Sequence, residues 1–110
     1  MVTGMSSGIV SVYVTFATAE NATRLGRQMV EERLAACVNV LGPALSIYRW
    51  QGKVEEANEV AVLFKTTAGC AEILAKRLTE VHGYENPAVT VWPIEHAPAP
   101  YVQWVRAQVR

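Results

Sequence analysis

The sequence predicts an α+β domain of the ferredoxin-like βαββαβ type, a sandwich of one sheet and two helices with an additional short C-terminal helix. Segments of alternating and of helical periodicity follow one another in the order strand, helix, strand, strand, helix, strand, and one more helical segment comes last. The chain has 110 residues, which is the size of one domain. Hydrophobic residues make up 51% and charged residues 18% of it, so apolar surface is left over for a subunit interface.

The first strand and the first helix are predicted from a change of periodicity. Apolar, mostly β-branched residues alternate with polar ones from Ile9 to Phe16, which predicts a strand. Thr18 to Asn21 is a polar break with residues that start helices, and apolar residues then recur at helical spacing from Ala22 to Leu34. We expect residues 1–8 to be a disordered N-terminal extension and residues 9–110 to form the domain.

The second and third strands are predicted to form a long, bent hairpin whose tip projects beyond the body. Ala35–Leu41 and Ala44–Trp50 are strand-like, and Gly42-Pro43 between them is a natural place for a bulge. Gln51-Gly52 predicts the hairpin turn, because glycine supplies the positive φ that two-residue turns require. Lys53–Thr66 then returns as a long strand.

A second helix, a fourth strand and a last helix complete the order. The helix is predicted to start at Thr66 or Thr67 and to end at Gly83, a natural C-terminal cap. Ala88–Ile94 predicts the strand, and two prolines then lead into the C-terminal helix. The predicted apolar stripe of the second helix consists of Cys70, Ile73, Leu74, Leu78 and Val81. The residues predicted to share one face of the last helix are Tyr101, Trp104 and Val105.

One face of the predicted sheet lacks a cover. Right-handed crossovers place both main helices on the other face. The uncovered face would carry Tyr13, Thr15, Thr90 and Trp92, on two strands that we interpret as central. This mixture is too aromatic to remain fully hydrated, and the simplest cover is another copy of the same chain.

Composition excludes several classes of partner. Ten basic residues balance ten acidic ones without forming blocks, so no basic patch for nucleic acid is present. No apolar run reaches about 18 residues, and the first residues do not resemble a signal peptide. Cys37 and Cys70 are interpreted as buried free thiols. We expect no nucleic-acid or membrane partner and a cytoplasmic location.

The sequence motifs of common enzymes are missing. The chain has no phosphate-binding glycine loop, no Cys-x-x-Cys, no His-Glu-x-x-His and no nucleophile elbow. No catalytic residue is predicted, and the protein is expected not to be an enzyme.

Two polar or aromatic segments are candidates for binding. In Ser46–Glu55, Tyr48 and Trp50 fall on one face of the strand and Arg49 on the other, which suits either a subunit contact or a ligand-stacking platform.

The second segment, His82–Pro87, either complements a helix dipole or forms a polar site on a loop. Glu85 could accept a hydrogen bond from Tyr84 or His82 of the same or a neighbouring subunit. One imidazole and one carboxylate do not fill a four-ligand metal site.

These segments resemble the CutA family of divalent-cation tolerance proteins in order and spacing, from Ile9 to about Val109. The matching segments are Leu34–Asn39, Ser46–Glu55, Phe64–Thr66, His82–Pro87 and Tyr101-x-x-Trp104. The resemblance implies a homotrimer, similar in plan to the PII signalling proteins, with hairpins that pair across subunits. It also implies a role in divalent-metal tolerance, with copper binding suggested for some members and no required cofactor. The positions that match the family's inter-subunit clefts are Tyr48, Trp50, Lys65, His82, Tyr84 and Glu85.

The chain departs from the family pattern at three positions. Gly83 replaces the first proline of the family's loop, which should loosen it. Phe16 and Val81 stand where copper-binding members have cysteine and histidine. We therefore expect Cu(II) or another divalent cation to bind only weakly, with His82 as the metal ligand. The alternative is a PII-type sensor that binds an anionic small molecule through Lys65, Arg49 and His82.

Overall fold

The predicted order of elements is confirmed in the computed structural model, which describes residues 6–110. The elements are β1 (Ile9–Phe16), α1 (Ala19–Glu31), β2 (Cys37–Trp50), β3 (Lys53–Thr67), α2 (Ala68–Val81), β4 (Thr90–Ile94) and α3 (Ala99–Gln108). The strands form one antiparallel sheet in the order β2-β3-β1-β4. This α+β arrangement, with its added helix, is the predicted ferredoxin-like sandwich.

The core lies between the sheet and the two main helices. Val12, Val14 and Phe16 project from β1 toward α1 and α2 and are fully buried. Both helices begin at a threonine whose hydroxyl accepts the backbone N–H of the residue three positions later. Thr18 accepts from Asn21 and Thr67 from Cys70, each at 3.1 Å. Thr67 is one of the two predicted starts of α2.

The predicted stripe of α2 is wrong at Ile73, which is 53% exposed. Cys70, Ala71, Leu74 and Leu78 face the core instead. Ala71 and Leu74 are three positions apart and share a face, whereas Ile73 is rotated by about 100° from Leu74 around the helix.

β2 is one continuous strand, and it carries a bulge where the sequence predicts a bend. The register between β2 and β3 shifts between Val40 and Gly42. Since a bulge adds one residue to one strand, it exchanges the two faces of β2. Gln51 and Gly52 both have positive φ, 50° and 81°, as the predicted two-residue turn requires.

The outer half of the hairpin extends beyond the body. β1 pairs with β3 only from Val60 to Thr67, so the β3 residues before Val60 pair with β2 alone. Leu45, Ile47 and Val54 lie on the helix side of this extension and are 61%, 63% and 64% exposed. No packed layer within residues 6–110 covers them.

The second face of the sheet is covered only in part, by α3. Val102 and Val105 of α3 pack on the fully buried Ile9. Tyr101 and Trp104, two of the three residues predicted to share a face of this helix, stack on each other and are partly exposed, whereas the third, Val105, is buried.

The fourth strand differs from the prediction in length and place. β4 begins at Thr90 instead of Ala88, and it is an edge strand that pairs only with β1, while β1 and β3 are the central strands. Tyr13 of β1 stacks on Trp92 of β4 with ring centroids 5.1 Å apart.

The ordered chain starts earlier than predicted. The Ser7 backbone N–H donates to the Ile94 carbonyl at 3.2 Å, and the Ala68 N–H donates to the Gly8 carbonyl at 2.9 Å. Ser7 and Gly8 of the predicted N-terminal extension are thus hydrogen-bonded to the domain, and residues 1–5 of that extension lie outside the described part. Within residues 6–110 no helix is long and apolar enough to cross a membrane.

Candidate functional site

His82 is the buried centre of the candidate site. It is the residue after the last turn of α2 and is 3% exposed. Its Nε2 lies 2.6 Å from the Thr15 carbonyl oxygen. A carbonyl only accepts, so Nε2 must carry a proton and donate, and in the neutral form of the imidazole this leaves Nδ1 as an acceptor. Nδ1 is buried and has no hydrogen-bond partner among residues 6–110.

Two aromatic rings enclose the imidazole. Phe16 stacks on His82 with ring centroids 4.5 Å apart and planes 10° from parallel. Tyr84 covers it at the same centroid distance, tilted by 50°. The metal ligand predicted from the sequence is therefore a covered group, and a cation can reach its Nδ1 only if a neighbouring side chain moves.

Glu59 connects this cluster to the hairpin. The Tyr84 hydroxyl donates to Glu59 Oε2 at 2.9 Å, and the Thr15 hydroxyl donates to the same oxygen at 3.2 Å. Within one chain the Tyr84 hydroxyl donates to Glu59 and not to Glu85, which is exposed. Burial, and next the bond to Glu59, raise the pKa of Tyr84 to about 12, so the phenol stays protonated at neutral pH.

Sequence reasoning missed Glu59. The available signal was its place immediately before the apolar run that starts at Val60, which is the β3 residue that pairs with the last residue of β1. A carboxylate one position beyond the end of β1 can reach the neighbouring Thr15 and the loop that follows α2. The sequence alone does not give the register of β1 on β3, so the contacts of Glu59 with Thr15 and Tyr84 could not be predicted from it.

Tyr48 belongs to the same region, and Trp50 lies farther out. Past the bulge, Tyr48 and Trp50 pair with Glu55 and Lys53 on the sheet face that carries Glu59. Tyr48 is near enough to add slightly to the raised pKa of Tyr84. Trp50 is 47% exposed at the hairpin tip.

Lys65 lies at the other end of β3. It pairs with Cys37 on one side and Ser11 on the other, in the same cross-strand row as Trp92. Along the strand it is roughly 20 Å from Glu59, at about 3.3 Å per residue. One chain therefore brings together His82, Tyr84 and Tyr48 of the six predicted cleft residues, and it does not bring Lys65 or Trp50 to them. Glu85 directly follows Tyr84 and is exposed.

The two cysteines are free, as predicted, but only Cys70 is buried. Cys37 is half-buried, and its Sγ lies 3.8 Å from the Tyr101 hydroxyl. Burial, and next this contact, raise the pKa of Tyr101. The interpretation of Cys37 as a buried thiol is wrong because β2 is an edge strand at this point.

The acidic and sulfur ligands do not converge in one chain. Within the part of the chain that the structure describes, no three side chains of His, Cys, Asp or Glu are close enough to hold a metal ion together. A complete four-ligand site would therefore need residues from more than one chain.

The model of the CutA1 divalent ion tolerance protein family matches residues 10–108. The chain belongs to the CutA1 family. Human Protein CutA is 42% identical over 99 residues, which are 87% of this chain and 55% of the human protein, so the chain spans about half the length of that relative. The divalent-cation tolerance protein CutA of Thermus thermophilus is 40% identical over 86% of this chain and 92% of its own.

Solved CutA structures share the fold over nearly the whole chain. The divalent cation tolerance protein of Thermus thermophilus superposes with a TM-score of 0.89 at 37% identity, covering 93% of this chain and 99% of that one. The CutA of Archaeoglobus fulgidus, which is described as periplasmic, gives a TM-score of 0.89 at 30% identity, with 93% and 99% covered. The family and the fold expected from the resemblance are confirmed.

The loop after α2 is a departure from the CutA pattern with a structural consequence. Gly83 stands where the pattern has proline, and its φ is +99°. The proline ring holds φ near −65°, so a proline cannot adopt this backbone. The segment that carries Tyr84 therefore follows a path that the family's proline would exclude.

Proposed function

We propose that this protein is a non-enzymatic homotrimer that acts in divalent-metal tolerance by weakly binding a divalent cation, Cu(II) in particular. The class follows from membership of a family that bears this name and from relatives such as the Thermus thermophilus divalent-cation tolerance protein. The observation that carries the metal role is the buried, unpartnered Nδ1 of His82 in a cluster that also holds the Glu59 carboxylate, within the described residues 6–110. No resident cofactor is required by this proposal.

Copper suits this group of atoms. A neutral imidazole nitrogen is a good ligand for copper, and copper binds most tightly among the first-row divalent metals at a given site. A carboxylate adds a negatively charged oxygen. Since a single chain offers no three-residue cluster within residues 6–110, we expect weak binding unless neighbouring subunits supply further ligands.

The trimer is supported by apolar surface that one chain leaves in water. Trp92 and Trp104 are about half exposed on or beside the second sheet face, and the hairpin extension exposes three aliphatic side chains. Each Å² of apolar surface removed from water contributes about 25 cal/mol, so association of copies through these faces is favourable. Monomers this small rarely leave patches of this kind uncovered.

Two measurements test the proposal. Sedimentation should give about three times the chain mass of 12.1 kDa. Calorimetry with Cu(II) at neutral pH should show weak uptake that His82→Ala reduces and His96→Ala retains, because His96 is exposed and lies outside the cluster. A mass of one chain contradicts the trimer, and Cu(II) uptake that is unchanged in His82→Ala contradicts the metal role.

The alternative of a sensor for an anionic small molecule is not favoured. The site offers acceptors, namely a carboxylate and an imidazole lone pair, and both disfavour an anion. Lys65, its proposed cationic partner, lies at the far end of β3 in the same chain. The family's name points to cations as well.

We place the protein in the cytoplasm in this proposal. Cys37 and Cys70 are both free thiols, which is typical of reducing compartments.

A further inference from the structure

Tyr84 is the partly exposed side chain that packs against the buried imidazole of His82. Its ring centroid lies 4.5 Å from that of the imidazole, and Phe16 of the core strand stacks on the imidazole at the same distance. Phe16 is fully buried and cannot leave without opening the core. Tyr84 is 39% exposed and belongs to a segment without regular secondary structure. Of the two rings packed on the imidazole, Tyr84 is therefore the one that can move aside without opening the core.

The position of Tyr84 is fixed through the hydroxyl. The phenol donates to the carboxylate of Glu59 on β3, a strand that is hydrogen-bonded into the sheet. A hydrogen bond to a charged group is stronger than one between neutral groups. The raised pKa of Tyr84 has the same origin in part, and it keeps the donor proton in place at neutral pH. Without this bond the ring would be held by its contact with the imidazole.

Gly83 links the buried His82 to Tyr84 and is the flexible backbone position between them. It lies directly between His82, whose Nε2–H is bonded to β1, and Tyr84. Its φ is +99°, and apart from its two chain neighbours no heavy atom of the described residues lies within 4 Å of the point where a Cβ would stand. Glycine has access to a wide range of φ. Gly83 is therefore the residue at which backbone rotation would carry Tyr84 away from the imidazole.

We infer that Tyr84 is a gate over His82, closed by the bond to Glu59 and hinged at Gly83, and that it controls access of a ligand to Nδ1. In the closed state the imidazole acceptor is covered, and in the open state a neutral nitrogen ligand faces solvent. The inference rests on the proposed function in one respect, since the ligand that the gate admits is the divalent cation. Tyr84 and Glu59 are positioning residues in this account and need not touch the metal.

Diethyl pyrocarbonate tests the gate without any metal. A neutral imidazole nitrogen attacks one carbonyl carbon of the reagent and forms an N–C bond. The C–O bond to the ethyl carbonate group breaks, and that group takes up the displaced imidazole proton and decomposes to carbon dioxide and ethanol. The chain has two histidines, so the exposed His96 serves as the internal reference for His82. Peptide mass spectrometry over time gives the two rates separately.

The gate predicts a slow reaction of His82 relative to His96 in the unaltered protein. Tyr84→Phe removes only the hydroxyl, and Glu59→Leu removes the acceptor at similar volume. Each should raise the His82 rate about tenfold, the size expected for one lost hydrogen bond to a charged group, and leave His96 unchanged. Tyr101→Phe, which removes a hydroxyl near Cys37, should leave both rates unchanged.

Three outcomes overturn the inference: a His82 rate equal to that of His96 in the unaltered protein, a His82 rate that neither variant changes, and a rise in only one of the two variants. Because they remove the same bond from opposite sides, the two variants check each other, and circular dichroism melting shows that each is folded. No metal enters the measurement. A failed copper titration would therefore contradict the proposed function and would not affect the gate. Unchanged His82 reaction rates in the variants would contradict the gate and would not affect the proposed function.

Discussion

Tyr84 and Glu59 are 25 residues apart in the chain, and a 2.9 Å hydrogen bond from the phenol to the carboxylate joins the loop after α2 to the hairpin. The same carboxylate oxygen accepts from Thr15 at the end of β1. Three parts of the fold, the hairpin, the central strand and the loop, thus meet at one acidic side chain. This acceptor gives Tyr84 a position that the loop alone does not dictate.

The Tyr84 phenol should titrate late in the alkaline range and weaken the fold when it does. Its pKa is raised from 10.0 to about 12, first by burial and then by the bond to Glu59. A pKa raised on folding gives stability that is complete below the unfolded value and is lost as pH rises through the folded one. We expect the melting temperature to fall between about pH 10 and 12, and Tyr84→Phe to remove that part of the fall. Phenolate absorbance identifies the titration, and equal curves for both proteins would contradict it.

Glu32 should contribute to stability until strongly acid pH. Arg77 approaches it with Nε at 3.0 Å and a second nitrogen at 3.1 Å, which ties the end of α1 to α2. This bond, followed by one from Gln28, lowers the pKa of Glu32 from 4.5 to about 2. A lowered pKa gives stability that is present above the unfolded value and is lost as pH falls through the folded one.

We therefore expect Glu32→Gln to lower the melting temperature at neutral pH and to flatten its dependence on pH between about 4.5 and 2. Both side chains are about one third exposed, so the effect should be modest and should shrink in high salt. Glu31→Gln, an exposed neighbour on the same helix, is the control and should change neither quantity. A pH profile of Glu32→Gln that overlays the unaltered protein would refute the assignment.

Local patterns predicted the elements well and predicted the site poorly. The alternation from Ile9 to Phe16, the bulge near Gly42 and the turn at Gln51-Gly52 all depend on neighbouring residues, and the structure has each of them. The burial of His82 and the hydrogen bond of Tyr84 to Glu59 depend on strand register and on the path of a loop, which periodicity does not encode.

Ile73 shows the same limit on a helix, since a stripe read from hydrophobicity alone included one exposed residue and left out the buried Ala71. Glu85 shows the same limit for a polar contact. It was the nearest carboxylate in sequence to Tyr84, and the acceptor came from a different strand.

Gly83 should tolerate no side chain without loss of stability. Its φ of +99° is strained for any residue with a Cβ, and alanine there should destabilise the fold by about 1–2 kcal/mol. Gly69 is the matched control. It lies in α2 with an ordinary helical φ and open space around it, so Gly69→Ala should leave stability equal or slightly higher.

Gly83→Pro, which restores the residue expected from the family pattern, should force a different loop path and displace Tyr84. Denaturant unfolding measures the alanine variants, and the diethyl pyrocarbonate rate of His82 reports the proline variant. Equal stabilities of Gly83→Ala and Gly69→Ala, or an unchanged His82 rate in Gly83→Pro, would show that the backbone at this position is not held as described.

Trp50→Ala should weaken assembly before it weakens the fold of the chain. Trp50 is about half exposed at the hairpin tip, where it pairs only with Lys53 and lies beyond the strands that cover the core. Truncating it in one chain therefore leaves no cavity in the core. Aromatic anchors at interfaces dominate association, and truncating one typically costs about 2 kcal/mol or more of binding free energy.

Sedimentation over a range of concentrations should show Trp50→Ala dissociating at concentrations where the unaltered protein stays assembled, with the far-ultraviolet dichroism of both proteins identical. Thr23→Ala, on the outer face of α1, is the control and should assemble normally, because that helix face points away from the sheet. An assembly that persists in Trp50→Ala at every concentration would remove Trp50 from the interface. Since the apolar hairpin side chains Leu45, Ile47 and Val54 would still need a cover, the subunit contact would then have to be centred on the opposite face of the hairpin.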